Sequence, residues 1–417
     1  MARILYLSYD GLTDPLGPSQ VLAYLKGLAA LGHQISLITF EKPERPATDR
    51  LAMTSECAAA GIDWHPLAYT KRPPVLSTLK DLTAMHRTAD RLVRERGYDI
   101  VHCRSAIPAL VGARLKRRRG LRFIFDMRGF WADERVEGGL WDLGKPLYRA
   151  MFGWFKKQES RLLRTADVVV VLTEAARDIL RGNGSVPATV PIAVIPCCAD
   201  LGAFPPITDQ ARADARAGLG IAGEATVPAY LGSIGTWYML GEMLDCFAVL
   251  RTRDPDAVML FVTRDDPAPI LAAAAARGIP AEALRIRPAS RAEVPQLLAA
   301  ADFGLFFIRP TYSKQASSPV KLGELFAMNL PVLANGGVGD MDRILAQSGA
   351  GVAVERFDPA AYGAALDALA ALRPDPARWR ATLVKWFDLD RGIAAYDGIY
   401  RALAPATERN SDTSRGA

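Results

Sequence analysis

Short runs of β-branched and aromatic residues alternate with longer amphipathic stretches along the chain. The runs at 4–9, 35–40, 100–104, 123–127, 168–172 and 192–196 predict strands of one sheet. A second series at 229–233, 258–263, 284–287, 303–308, 331–335 and 352–354 predicts another. Strands that alternate with helices form strand–helix–strand units and hence parallel sheets. The pattern therefore predicts an α/β protein with two doubly wound, Rossmann-like sheets in tandem.

The division between the two series falls at a turn-rich segment, residues 196–206, which contains a Pro-Pro pair. We expect an amino-terminal domain at 1–200 and a carboxy-terminal domain at 207–378. Apolar positions recur at helical spacing between Trp379 and Leu403, so residues 379–405 are predicted to form helices that tie the domains together. The polar tail, 406–417, is predicted to be disordered.

The composition is that of a folded enzyme: 417 residues, half of them hydrophobic and 23% charged. No apolar run approaches the ~20 residues needed to cross a bilayer, and the first residues read as a strand, so a cytoplasmic location is expected. The five cysteines lack metal spacing and are expected to be reduced. The four histidines are too scattered for a zinc site.

The net charge of +6 suits an anionic ligand or a membrane surface but is too dispersed for nucleic acid. The densest basic run, 114–119, is consistent with a solvated helix end or with contact to anionic lipid. The stripe at 140–164 mixes aromatic and basic residues. Such a stripe is typical of a domain core. The alternative is an interfacial helix that presents the site to a lipid-borne acceptor, with the protein bound peripherally at the inner face of the membrane.

In parallel sheets ligands bind beyond the carboxyl ends of the strands, so the loops there are the candidate sites. The loop at 10–20 precedes a predicted helix at 21–31, with Ser19 as its N-cap and Gly17 leaving room for a ligand. It lacks the Gly-x-Gly-x-x-Gly pattern of a dinucleotide-binding turn. A purely structural turn is the alternative.

The segment Ser317-Ser318-Pro319 predicts a helix start, with Ser318 as N-cap, and Asn329 predicts its left-handed end. A helix N-terminus with two hydroxyls and Lys321 one turn in can bind an anion such as a diphosphate. Glu324 lies where it could accept hydrogen bonds from a ribose. An ordinary capped helix with solvated charges is the alternative.

The loop after the predicted strand 123–127 carries charged and aromatic side chains within ten residues. They are Asp126, Arg128, Trp131, Asp133 and Glu134. Sugars are bound by aromatic faces together with charged hydrogen-bonding groups, so this loop is a candidate acceptor site. A structural salt-bridge loop is the alternative.

At these residues the sequence resembles the family 4 retaining glycosyltransferases of the GT-B fold, in particular the type that builds bacterial polysaccharides. The resemblance covers nearly the whole chain and rests on five motifs together. They lie at 9–20, 126–134, 172–173, 230–235 and 318–327.

The resemblance implies an acceptor in the amino-terminal domain and a UDP- or GDP-sugar in the carboxy-terminal domain. It implies that the Gly17 loop closes on the diphosphate, that Ser317 to Lys321 meet the phosphates and that Glu324 holds the ribose. The other donor contacts it implies are Ser233, Thr236, Thr263, Arg264 and Arg287. It implies acceptor contacts at Asp126, Arg128, Trp131, Asp133 and Glu134, with Asp126, Arg128, Lys321 and Glu324 as the catalytic set.

Three departures from the family pattern concern the chemistry. The first of two family glutamates is replaced by Ala316, and the Arg–Lys pair that often follows the strand near Leu231 is missing. Lys321 or Arg309 is the candidate substitute for that charge. Asp126 stands where many relatives have a histidine.

The resulting hypothesis is transfer of a hexosyl group, with retention, to a saccharide or lipid-linked saccharide acceptor in cell-surface polysaccharide synthesis. The helix start stabilises the leaving phosphate, so no metal or other cofactor is needed. Two acids at 265–266 are weak evidence for a metal. The alternatives are a nucleotide-sugar epimerase of the same fold and a non-catalytic donor-binding subunit.

Overall fold

The computed structural model describes residues 1–73 and 76–405, and the predicted tail at 406–417 lies outside that part of the chain. The first sheet has seven parallel strands in the order β3-β2-β1-β4-β5-β6-β7. They are β1 (Arg3–Ser8), β2 (Gln34–Glu41), β3 (Asp63–Ala68), β4 (Ile100–Arg104), β5 (Arg122–Met127), β6 (Val168–Val171) and β7 (Ile192–Val194). The helices that connect and cover this sheet are α1 (Ala23–Ala30), α2 (Ala47–Ala59), α3 (Leu76–Arg96), α4 (Ala106–Arg119), α5 (Trp131–Glu137), α6 (Pro146–Thr165) and α7 (Glu174–Gly182).

The second sheet has six parallel strands in the order β10-β9-β8-β11-β12-β13. They are β8 (Pro228–Leu231), β9 (Met259–Val262), β10 (Leu284–Arg287), β11 (Phe303–Phe306), β12 (Val332–Asn335) and β13 (Gly351–Val354). Its helices are α8 (Asp209–Leu219), α9 (Leu240–Arg253), α10 (Pro267–Ala275), α11 (Val294–Leu298), α12 (Val320–Ala327), α13 (Met341–Ser348) and α14 (Pro359–Ala370). Two doubly wound parallel sheets confirm the predicted fold class.

All twelve predicted strands are present, with bounds that differ by no more than two residues. All twelve are runs rich in apolar residues, which is why the pattern reveals them. The sheets bury most of them on both faces, and the edge strands β7, β10 and β13 only partly. Strand β3 was not predicted. Its sequence, Asp-Trp-His-Pro-Leu-Ala, is only partly buried and contains Pro66, which an edge strand tolerates.

Both predicted serine caps are wrong. A π-helical turn at Pro18–Leu22 precedes α1, its cap is Gly17, and Ser19 lies inside it. Helix α12 begins at Val320 after Pro319, without a side-chain cap. The Ser318 hydroxyl instead accepts the backbone N–H of Cys197 at 3.2 Å, because tertiary packing offers it that donor. Asn329 adopts the predicted left-handed conformation, with φ of 59°.

Gly17 is needed for a reason other than ligand access. A side chain there would collide with the backbone carbonyls of Gly11 and Leu12, so the loop folds onto itself at this glycine. The close approach that the sequence suggested is therefore made by the chain's own backbone.

The last two helices, α15 (Pro376–Phe387) and α16 (Leu389–Leu403), pack on different sheets. Trp379 of α15 packs edge-on against Phe326 of the second domain, with ring centroids 5.4 Å apart. Tyr396 of α16 packs edge-on against Tyr24 of α1 at 5.7 Å. The chain thus crosses back to the first sheet at its end.

We predict that Tyr400→Phe destabilises the protein, whereas Tyr362→Phe does not. Both tyrosines are almost fully buried. The Tyr400 hydroxyl lies 2.6 Å from His102 Nδ1, while that of Tyr362 has no hydrogen-bond partner among the described residues. Loss of the Tyr400 hydroxyl leaves the buried imidazole nitrogen of His102 without a hydrogen bond, which lowers the free energy of unfolding by about 1–3 kcal/mol.

Urea titration of the two variants measures the difference. An equal loss of unfolding free energy in both would show that the His102–Tyr400 bond contributes nothing specific.

Candidate active site

The candidate site is the groove between the carboxyl ends of the two sheets. Strand order reverses between β1 and β4 in the first sheet and between β8 and β11 in the second, and ligands bind at such points. The two edges meet through direct contacts. For example, the Thr173 hydroxyl, after β6, donates to the Gln315 carbonyl, after β11, at 2.7 Å.

Lys321 lies at the second reversal point, inside an aromatic cage. Its Nζ is 4.2 Å from the ring centre of Tyr230, 3.8 Å from that of Tyr238 and 5.5 Å from that of Phe306. The atom is buried and has no hydrogen-bond partner among residues 1–73 and 76–405. Burial lowers the pKa of Lys321 to about 7, against a smaller opposing effect of Glu324.

The cage is closed by the turn after β8. Gly232 has a φ of 110°, and a side chain there would reach to 3.3 Å from Lys321 Nζ. Ring faces attract the ammonium but cannot accept its hydrogen bonds as oxygen atoms do. An oxyanion that enters beside this turn would supply the missing acceptors.

Glu324 lies one turn after Lys321 and is already partnered. Its Oε1 accepts a hydrogen bond from Arg291 at 2.8 Å, and the Arg291 guanidinium lies over the ring of Phe204 at 5.2 Å. The carboxylate is thereby held in one orientation. Its role toward a ribose stays a prediction.

The remaining predicted donor contacts lie around the mouth of the second domain. Thr236, Arg264 and Arg287 are exposed, and Arg264 donates to the Ala289 carbonyl. The Ser233 hydroxyl donates to Asp265 at 3.0 Å, and Thr263 Oγ1 accepts the N–H of Asp265 at 3.1 Å.

The two acids considered for a metal have structural partners of this kind. Asp265 accepts from Ser233, and Asp266 caps α10 through the N–H of Ala268. Within the described residues no group of three His, Cys, Asp or Glu side chains is placed to hold a metal ion.

Asp126, which the sequence predicts as an acceptor contact, is a buried side chain. It is 1% exposed and its Oδ2 accepts the Tyr396 hydroxyl at 3.1 Å, because α16 covers this end of β5. Burial alone would raise the pKa of Asp126, but Arg128, His102 and Arg104 outweigh it and hold the pKa at about 2. Asp126 is therefore a buried carboxylate.

Arg128 is held beside this carboxylate. Its Nη1 is 3.7 Å from Asp126 Oδ1 and its Nη2 donates to Cys197 Sγ at 3.2 Å. Cys197 belongs to the segment predicted to link the domains. That segment is packed here, since Cys197, Cys198 and Ala199 are all buried.

Trp131 and Asp133 have partners within the first domain. Trp131 packs edge-on against Trp141 and at a tilt against Phe155, and Arg135 covers its ring at 4.0 Å. Asp133 pairs with Lys156 at 2.7 Å. Both are consistent with the structural alternative for this loop.

Glu134 joins the two domains through Lys314. No sequence motif predicts Lys314 as a functional residue. Lys314 Nζ is 2.5 Å from Glu134 Oε1 and 3.8 Å from the ring centre of Trp237. Next to this pair, Ser313 donates its N–H to Glu137 at 2.9 Å, and Tyr312 stacks on Phe130 at 4.8 Å. We call these three contacts the interdomain clasp.

Ala316, at the position where the family that the sequence resembles has a glutamate, lies in the same segment. Ala316 is 3% exposed and packs in the apolar core of the first domain. Ser317 follows it, partly buried, at the domain boundary. The helix start, residues 317–320, is partly exposed and lies beside the other domain and the linking segment.

A second interdomain contact lies at α7. Asp340 accepts the backbone N–H groups of Glu174 at 2.7 Å and Ala175 at 3.1 Å. Burial raises the pKa of Asp340 to about 6, against a smaller opposing effect of the bond from Ala175. The contact places a carboxylate at a helix N-terminus, where backbone donors favour it.

Sequence comparison supports a glycosyltransferase. Residues 18–198 match the profile of the family described as a glycosyl transferase 4-like domain. No curated protein sequence matches the chain significantly. No helix in the described residues combines the length and apolar character needed to cross a membrane.

The fold is similar to several solved structures at low identity. Sucrose-phosphate synthase from Thermosynechococcus elongatus has a TM-score of 0.74 at 17% identity, over 97% of this chain and 99% of that one. HepE of Anabaena, in complex with UDP and glucose, has a TM-score of 0.69 at 14% identity, over 96% and 100%. A glycosyltransferase from Rickettsia africae has a TM-score of 0.70 at 16% identity, over 96% and 98%. The architecture is the GT-B fold.

We predict that Glu134 and Lys314 are energetically coupled. The Lys314 side chain is only 8% exposed, so removal of Glu134 leaves a buried ammonium without its carboxylate. A double-mutant cycle with Glu134→Gln and Lys314→Gln should give a coupling of about 1–3 kcal/mol.

The control pair is Lys71 and Glu44, which lie 3.1 Å apart with side chains 69% and 56% exposed. Their coupling should be within about 0.5 kcal/mol of zero. If the two cycles give equal values, the clasp is an ordinary surface contact.

Proposed function

We propose that this protein is a retaining glycosyltransferase that moves a hexosyl group from a UDP- or GDP-sugar to a saccharide or lipid-linked saccharide acceptor. The product would belong to a cell-surface polysaccharide. The match of residues 18–198 and the GT-B fold support a transferase. The nucleotide, the hexosyl group and the retaining stereochemistry rest on the family resemblance of the motifs at 9–20, 126–134, 172–173, 230–235 and 318–327.

The observation that carries the proposal is the unpaired ammonium of Lys321. It lies at the reversal point of the second sheet, where a nucleotide's phosphates would be expected. A buried cation without an anion is costly, and a diphosphate would supply that anion. Lys321 thereby replaces the Arg–Lys pair that the family often has after β8.

The chemistry needs charge stabilisation more than proton transfer. As the anomeric bond breaks, negative charge grows on the leaving phosphate. A preorganised ammonium in a dry site stabilises that charge strongly. Glu324, oriented by Arg291, would hold the ribose, and Ser317, Ser318 and the Gly17 loop would border the phosphates.

The first domain would hold the acceptor. Since Asp126 is buried, its proposed role is to position Arg128 rather than to touch the acceptor hydroxyl. The interdomain clasp keeps the groove closed, which excludes water and suppresses hydrolysis of the donor.

We predict that Lys321→Met weakens nucleotide-sugar binding at least tenfold without destabilising the free protein. The folded-state pKa of about 7 is below the ordinary value, so the free enzyme loses this proton as pH rises through 7. A bound diphosphate favours the charged form. Affinity should therefore be highest below about pH 7 and fall by up to about tenfold per pH unit above it, and Lys321→Met should remove that dependence.

Thermal shift and calorimetry against UDP, GDP and their sugars, from pH 6 to 9, make the test. Lys385→Met is the matched control, since Lys385 lies over Trp386 at the surface of α15, with 4.9 Å from Nζ to the ring centre. Binding that is unchanged in Lys321→Met would overturn the proposed site. Donor binding without transfer to any acceptor would favour the donor-binding subunit, and isomerised donor would favour the epimerase.

We also propose a peripheral contact with anionic membrane through α3, α4 and α6, which pack side by side on the first sheet. The three helices carry fifteen basic and four acidic residues, although the whole chain has a net charge of only +6. Leu147 and Trp154 of α6 are 64% and 48% exposed beside these charges. Basic surfaces with exposed apolar side chains bind anionic bilayers.

We predict that the protein sediments with vesicles containing phosphatidylglycerol and not with pure phosphatidylcholine. The double variant Leu147→Ser/Trp154→Ser should reduce the bound fraction severalfold, because both side chains would leave water for the bilayer. Leu271→Ser, at an exposed position of α10 in the other domain, is the control. Equal sedimentation with both lipids would contradict the membrane contact and leave the transferase proposal intact.

A further inference from the structure

At the reversal point of the first sheet, two arginines present buried N–H groups that nothing in the described chain accepts. Arg104 ends β4, and its side chain is 7% exposed. Its Nε and Nη1 have no hydrogen-bond partner among the described residues, and the same holds for Nε of Arg128. Arg104 pairs with Asp126 in the register of β4 and β5, and Arg128 Nη1 lies 3.7 Å from Asp126 Oδ1, so both arginines lie beside this buried carboxylate.

The nearby carboxylates do not satisfy these donors. Asp126 Oδ2 accepts from Tyr396, and its Oδ1 lies 3.7 Å from Arg128 Nη1, beyond hydrogen-bond distance. Asp10 Oδ2 lies 3.6 Å from Arg104 Nε, and the Asp10 side chain is 60% exposed. Asp10 therefore stands at the mouth of the cluster without closing a hydrogen bond to it.

The charges leave room for one more anion. Two guanidinium groups face one buried carboxylate, while burial lowers the pKa of His102 and favours its neutral form, against a smaller opposing effect of Asp126. Asp10 supplies only a loose, solvated contact. An oxyanion of a ligand could displace Asp10 and accept hydrogen bonds from the N–H groups of both arginines. Guanidinium groups bind carboxylate and phosphoryl oxygens well.

We infer that Arg104 and Arg128 form a subsite for an anionic oxygen group carried by the acceptor. The ligand class is a saccharide that bears a phosphoryl or carboxylate group. The inference rests on the proposed function, because it places the acceptor at the first sheet. It goes further in stating that the acceptor is charged and that Arg104 selects it.

The test uses the full chain with Lys321→Met as background, so that phosphate bound at the donor side does not contribute. Calorimetric titration with inorganic phosphate, and separately with acetate, probes the subsite. In this background, the further substitution Arg104→Gln should weaken phosphate or acetate binding at least tenfold. Added Asp10→Asn should strengthen it severalfold, because the competing carboxylate is removed. Arg91→Gln is the control, since Arg91 is an exposed residue of α3 paired only with Glu95 at 3.6 Å.

The stronger of the two anions identifies the group on the acceptor, and either result supports the subsite. Phosphate and acetate binding that is absent in the Lys321→Met background, or insensitive to Arg104→Gln, would overturn it. Nucleotide-sugar binding by Arg104→Gln in the otherwise wild-type chain separates the two proposals. If that binding is retained while the subsite test fails, the donor site stands and only the charged acceptor is wrong.

Discussion

The structure depends most on how it accommodates an ammonium group removed from water. Lys321 is enclosed by Tyr230, Tyr238 and the turn at Gly232, and no oxygen atom of the described chain accepts its hydrogen bonds. An apolar residue of similar length would fill the same space without the cost of desolvation. The aromatic rings recover part of that cost, since they attract a cation through their faces. The hydrogen bonds of the ammonium remain unsatisfied, and under the proposed function the phosphates of the donor would accept them.

Polar contacts, as well as apolar burial, hold the two domains in position relative to each other. The segment that precedes Lys321 is fixed to the first domain by Lys314 and Glu134, and by the Thr173–Gln315 bond. Asp340 adds a carboxylate at the start of α7. Such contacts are directional, so they define one relative position of the two sheets. The same segment carries Ala316 into the core of the first domain, which ties the start of α12 to that domain.

The sequence was sufficient for the parts of the molecule that depend on local pattern. Twelve strands, the two sheets and the left-handed Asn329 could be predicted because continuous apolar runs and backbone conformation depend directly on residue type. The edge strand β3 was missed because Asp63, His65 and Pro66 interrupt its apolar residues. The helix caps failed because Ser318 hydrogen-bonds Cys197, which lies 121 residues away. Likewise, the burial of Asp126 could not be predicted, because it depends on Tyr396, which lies 270 residues later in the chain.

The same contrast explains which site residues could be found. Lys321 and Glu324 belong to one helix, so their spacing alone placed them together. The cage around Lys321 and the pairing of Glu324 with Arg291 require strands and loops that only the sheet order brings near. Arg104 has no motif around it, yet it ends the strand beside the reversal point of the first sheet. The two sheets thus present the same feature at equivalent positions: a buried cation whose hydrogen bonds the chain itself does not complete. Under the proposed function, a donor and an acceptor that each carry negative charge would bind at these two positions.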